Sequence, residues 1–103
     1  MSDFFKIYRK KGFEETLEVL YEGENCEYKE SDFYHTLKTQ SMHLNEFYRS
    51  KDDLLRYGVI GYKLDDSYDK VIFLTEKGKE LKELVNAINE LIKPKKNKKK
   101  RKK

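Results

Sequence analysis

His35, His43 and Cys26 are the side chains of this sequence best suited to holding a metal or acting as a nucleophile, and their spacing supports neither. A structural zinc site takes four Cys or His ligands at close intervals. Neither histidine has a Cys or His partner at such an interval, and a lone cysteine cannot complete a set. The sequence contains no Gly-rich phosphate loop, no nucleophile elbow and no recurrent carboxylate motif. The 19 Asp and Glu residues read as solvated faces of helices. These observations point away from an enzyme, and no cofactor or metal is expected.

The other chemistry available is charge. The segment "KPKKNKKKRKK", from Lys93 to Lys103, holds nine Lys or Arg and no acid. The remaining 14 basic residues face all 19 acidic ones, so positions 1–92 carry a net −5 and the tail +9. The overall charge of +4 describes neither part. A run such as Lys95, Lys96, Lys98, Lys99, Lys100, Arg101, Lys102 and Lys103 cannot build a core, and residues 94–103 are expected to be a disordered tail. By counterion release it can hold nucleic acid without sequence preference, losing roughly 0.9 decades of affinity per decade of salt for each phosphate neutralised. It would also offset the repulsion between a negative body and a polyanion. A nuclear-import signal in a eukaryote, or a solubility tail, has the same composition.

A chain of 103 residues has room for one small domain with one core. With 37% apolar and 41% charged residues that core must be compact, and eight Tyr and six Phe supply large buried areas from few positions. No apolar run approaches the roughly 18 residues of a membrane span, and the N-terminus shows no signal-peptide h-region. One cysteine excludes an intrachain disulfide. A cytoplasmic location is expected, nucleoid-associated in a prokaryote and nuclear in a eukaryote.

Helical periodicity begins after Ser2, a potential N-cap, with Phe4, Phe5 and Tyr8, and breaks at Gly12. Phe13, Leu17, Leu20 and Tyr21 lie on one face of an amphipathic helix that Gly23 ends. Its Glu14, Glu15 and Glu18 suit the helix dipole. "NCEYK" reads as a short extended segment, and "ESDFYHTL" as a two-turn helix with Phe33 and Leu37 at i,i+4. After the polar turn "KTQS", Ser41 can cap a helix from Met42 to Tyr57 with Leu44, Phe47, Tyr48, Lys51, Leu54 and Leu55 along one side. Gly58 stops it. Val59–Leu64 and Lys70–Leu74 read as strands around a polar turn. Thr75 can then cap a last helix to about Lys93, with Leu81, Leu84, Val85, Ile88 and Leu91 at 3–4 spacing.

The resulting order is helix, extended segment, helix, turn, helix, hairpin, helix. It resembles a winged helix-turn-helix domain, and "LLRYGVIGYKL…KVIFLTEKGKEL" is similar to the segment after the recognition helix in bacterial and archaeal regulators of the MarR, ArsR and PadR kind. The matching residues are Leu54, Leu55, Gly58, Val59, Ile60, Leu74, Thr75 and Gly78. The resemblance covers roughly Phe13 to Ile92 and implies an α+β, mostly helical fold with a two-stranded wing and a C-terminal helix, over residues 1–92.

The resemblance also implies that the Met42–Tyr57 helix enters the major groove of DNA. The residues then offered to nucleic acid are Lys38, Thr39, Gln40, Ser41, His43, Asn45, Arg49 and Lys51, with Glu46 and Ser50 also outward. Gln40 and Asn45 can pair with adenine edges, Arg49 can reach guanine or a phosphate, and Lys38 and Lys51 suit phosphates. The usual wing-to-phosphate contact is not expected, because Asp65, Asp66 and Asp69 crowd the hairpin turn and leave only Lys63, Lys70 and Tyr68 suited to DNA. Leu81, Leu84, Val85, Ile88 and Leu91 either pack on the chain's own first helix or form a homodimer seam. The function expected is that of a DNA-binding transcriptional regulator or chromatin-associated factor, probing DNA with one helix and the tail. Two alternatives stand beside it: a protein-interaction module that uses the acidic body, and an RNA-binding protein that uses the tail.

Overall fold

The structure, a computed structural model, describes residues 2–10, 12–40 and 44–94. Five α-helices and a three-stranded antiparallel sheet surround one core: α1 Asp3–Tyr8, α2 Phe13–Glu22, β1 Glu27–Lys29, α3 Glu30–Thr39, α4 Leu44–Arg56, β2 Ile60–Leu64, β3 Lys70–Leu74 and α5 Glu76–Ile92. The strand order is β1-β3-β2, so the last strand of the hairpin lies in the middle. No helix among the described residues is long and apolar enough to cross a membrane.

The helix ends follow from local chemistry. The Ser2 hydroxyl accepts the Phe5 N–H at 3.3 Å and starts α1. Gly12, at φ +92°, turns the chain into α2 in a conformation that costs a residue with a Cβ about 1 kcal/mol or more. The α4 helix closes in a left-handed cap: Gly58, at φ +75°, donates its N–H to Leu55 O and Val59 donates to Leu54 O. That second bond is why β2 begins at Ile60 and not at Val59, whose N–H is already committed to the helix. The Thr75 hydroxyl accepts the Gly78 N–H at 3.0 Å and starts α5.

The core forms where α2, α3 and α4 meet the sheet. Phe13, Leu17, Leu20, Phe33, Leu37, Phe47, Leu54 and Ile72 are all fully buried there. Phe33 and Phe47 meet edge to face at 5.1 Å, which ties α3 to α4. On the other side Phe4 and Tyr8 of α1 pack around Phe13 at 6.5 and 5.8 Å.

Three sequence expectations need correction here. Of "NCEYK", only Glu27–Lys29 is extended, while Asn25 and Cys26 sit at positive φ within the 3-10 turn Glu24–Cys26. Those three residues form β1 against β3, with Tyr28 opposite Ile72, so the hairpin is part of a three-stranded sheet. Ser50, expected to face outward, is fully buried and donates its hydroxyl to Phe47 O at 3.1 Å. A small residue is what the α4 stripe needs where it crosses the core, and its back-bond satisfies the one polar group. Tyr48 and Leu55, expected along the inner side of α4, are exposed at its edge.

Candidate nucleic-acid interface

With Phe47, Ser50 and Leu54 turned inward, the helical period sends Asn45, Arg49, Asp52 and Arg56 outward, and all four are exposed along one face of α4. Lys38, Thr39 and Gln40 are exposed at the end of α3. Thr39 donates its hydroxyl to Thr36 O at 2.8 Å, which leaves that oxygen only acceptor capacity for a ligand. The Gln40 backbone N–H closes α3, and its side chain is exposed. No ion pair among the described residues involves Lys38 or Arg49, so both cations face outward without a carboxylate of this body. Lys51 departs from the expected arrangement. It is half-buried, with Nζ 5.7 Å from the Tyr62 ring centre, and is turned toward β2. Ser41 and His43, and every cation of the tail from Lys95 to Lys103, lie outside the described residues.

The acidic hairpin tip has a structural explanation. One carboxylate oxygen of Asp65 accepts the N–H groups of Ser67 (2.8 Å) and Asp69 (2.9 Å), folding the turn around itself. Tyr68 stands at φ +64° and is 82% exposed. Lys29, at the end of β1, approaches Asp69 at 3.3 Å and Asp65 at 3.9 Å, and these carboxylates raise its pKa above the ordinary lysine value. Next to the hairpin turn Lys63 pairs with Glu27 at 2.8 Å. Lys70 lies 3.7 Å from Glu30 and 4.4 Å from the Tyr62 ring centre. The hairpin lysines are thus engaged with the protein's own carboxylates and ring faces.

Comparison with protein-family models, with curated proteins and with solved structures yields no match. The function must therefore be argued from these side chains.

Between α3, α4 and β2 three tyrosines gather around Glu30. Tyr34 donates its hydroxyl to Glu30 at 2.8 Å, and its ring meets those of Phe47 and Tyr48 at 5.9 and 6.0 Å. Burial, then the hydrogen bond to Glu30, raises the Tyr34 pKa well above the ordinary phenol value. Burial also pushes Tyr62 up to about 12, assisted by the Glu30 charge and opposed by the nearby Tyr34 hydroxyl. The Tyr62 hydroxyl is buried without a hydrogen bond of good geometry to any described residue. Among the described residues no three His, Cys, Asp or Glu side chains converge to hold a metal ion.

The stripe on α5 divides in two. Val85 is 2% exposed and Leu81 packs on the core, so these two serve the monomer. Leu84 and Ile88 are exposed and Leu91 is 77% exposed, with Phe5 and Ile92 exposed near them. A groove of about 160 Å³ runs between α1 and α5, lined by Phe4, Phe5, Tyr8, Val85, Ile88 and Ile92.

One feature escaped the sequence reading. A cleft of about 540 Å³ opens between α1 and the C-terminal end of α4, walled by Lys6, Arg9, Lys10 and Arg56, with Asp53 as its one acid. Lys10 and Arg56 reach the two Asp53 oxygens at 2.6 and 2.7 Å. The Lys10 ammonium holds the Asp53 carboxyl below its ordinary pKa, so it is ionised at neutral pH. The available signal was "KIYRK", whose Lys6, Arg9 and Lys10 lie in and just after the last turn of α1.

Proposed function

We propose that this chain is a winged-helix DNA-binding protein, a small transcriptional regulator or chromatin-associated factor that acts as a homodimer. The element order and the β1-β3-β2 sheet support the winged-helix assignment, with α3 and α4 as the helix-turn-helix and β2-β3 as the wing. The observation that carries the functional reading is the outward face of α4. It presents Asn45 and Arg49, with Lys38 and Gln40 exposed at the end of α3, and Lys38 and Arg49 enter no ion pair among the described residues, whereas the hairpin lysines do. Asn and Gln match adenine edges and Arg matches guanine, so this face can read the major groove. The lysine-rich tail adds a hold on phosphates that carries no sequence information. A dimer fits the exposed Leu84, Ile88 and Leu91, because an apolar strip of this kind on a monomer is normally covered.

Fluorescence anisotropy on labelled duplex DNA between low and moderate salt tests the reading. The full chain should bind with a steep negative salt slope, and a chain ending at Ile92 should bind more weakly with a shallower slope. Absence of binding at the lowest salt would sink the proposal. The carboxylates along α2, with Glu14, Glu15, Glu18 and Glu22 all exposed, favour a second reading as a docking module for a basic protein. A pull-down with the tail-deleted chain separates the two, since the docking module alone would retain a basic protein partner.

A further inference from the structure

The geometry points to the cleft between α1 and α4 as a phosphate site, which grips the sugar–phosphate backbone of a DNA duplex in place of the wing. This inference rests on the DNA-binding reading of α4 and specifies where that interface finds its backbone contact. Docking a helix in a groove needs cations at the flank to fix its register, since base contacts alone do not position it. On one flank of α4 lies the hairpin, whose tip is acidic and whose Lys63 and Lys70, beside the turn, are engaged with Glu27 and Glu30. On the other flank lies α1. Asp53 stands at the edge of the outward face that carries Asn45, Arg49 and Arg56, and the Lys10–Asp53 pair joins that edge to the end of α1. Four cations there face a single carboxylate, within a body whose net charge is negative.

The arrangement is built as well as charged. Asp53 holds Lys10 and Arg56 on its two oxygens, and each cation keeps further N–H donors beyond the one that Asp53 accepts. Lys6 is exposed and enters no ion pair among the described residues, so its charge is available whole. Ile7 and Tyr57 also line the cleft, and the Arg56 guanidinium lies 5.0 Å from the Tyr57 ring centre. Arg49 and Arg56 are seven residues apart, about 10 Å along the helix, so one strand of backbone can run from the groove-facing part of α4 to the cleft.

The test uses the full chain and anisotropy across a salt series on duplex DNA. Lys6→Gln should lower the salt slope by about 0.9 and weaken binding roughly fivefold at physiological salt, the share of one phosphate. Asp53→Asn should tighten binding, because it removes the only negative charge from the cleft while its amide oxygen can still accept from Lys10 or Arg56. Lys63→Gln, on the hairpin, should leave affinity and slope unchanged. Should the wild type bind while Lys6→Gln and Asp53→Asn bind as it does, the cleft is no backbone site and the reading of α4 survives. Should the wild type fail to bind duplex, both fall. Inorganic phosphate, added at constant ionic strength and followed by NMR on the Lys6 and Arg56 amides, separates the sources. Shifts there without any effect of Lys6→Gln on duplex binding would assign the cleft to a small phosphate ligand and overturn the proposal.

Discussion

The carbonyl oxygen of Val59 occupies the space that a Cβ on Gly78 would need, and Leu74 Cδ1 would stand 2.8 Å from the same atom. This contact lets α5 start directly against the base of the hairpin, where Thr75 also donates its backbone N–H to Val59 O at 3.0 Å. Gly78→Ala would improve helix propensity by about 1 kcal/mol in an open helix. Here the collision should dominate, and the variant should lose about 1–3 kcal/mol. The urea midpoint should fall with the m-value unchanged; an unchanged or higher midpoint would show that the helix simply shifts outward.

On the proposed DNA-binding reading, Arg49 and Asn45 would make the base contacts. Arg49→Ala should weaken binding to a selected target duplex by about 1–3 kcal/mol and weaken it far less on unrelated DNA. Asn45→Ala should relax preference at one base pair. Both residues are exposed, so thermal melting should stay within about 0.5 kcal/mol of wild type in stability. Equal losses on all duplexes would assign Arg49 to a phosphate instead.

Leu84 and Leu91 offer a test of self-association. The wild type should show twice the monomer mass by light scattering, and Leu84→Glu or Leu91→Glu should halve it. Because both side chains are exposed in the monomer, the core should keep its stability. A wild type that remains monomeric at all concentrations would leave the strip without this explanation.

Tyr34 and Tyr62 make a prediction at alkaline pH. Burial favours their neutral phenols, so the folded protein retains protons that the unfolded chain gives up near pH 10. The contribution is therefore complete below about pH 10 and is lost as pH rises toward the Tyr62 value of about 12. Tyr62→Phe should reduce that decline. It should also cost little at pH 7, since its hydroxyl lacks a described partner and removing an unsatisfied polar atom is near neutral. A marked loss at pH 7 would reveal a partner such as a fixed water.

Local chemistry made much of the fold readable. Ser2, Gly12, Gly58 and Thr75 each stand at a turn or cap that suits that residue type, and α2 ends before Gly23 as its sequence implies. What stayed hidden depends on partners distant in the chain. Glu27–Lys29 has no alternation of its own and becomes a strand only because β3 lies alongside. The exposure of Tyr48 and the burial of Ser50 depend on how α4 is rotated against α2 and the sheet, which periodicity gives only to within part of a turn. The cleft at Asp53 is invisible for the same reason. Lys10 in "YRK" and Asp53 in "KDD" are 43 positions apart, and each stretch alone reads as an ordinary solvated helix end. Of the residues expected at the interface, Lys38, Thr39, Gln40, Asn45 and Arg49 are placed outward, while Lys51 is drawn to Tyr62 by a ring on β2.

Lys29 has two roles at once, as the last residue of β1 and the N-cap position of α3, and its ammonium holds the hairpin tip through Asp69 and Asp65. The hairpin is thereby a strut and not a flap. Through Lys29 the tip is joined to the start of α3, the helix that ends at the exposed Lys38–Gln40 corner ahead of α4, so tip and corner stand at the two ends of one connected segment.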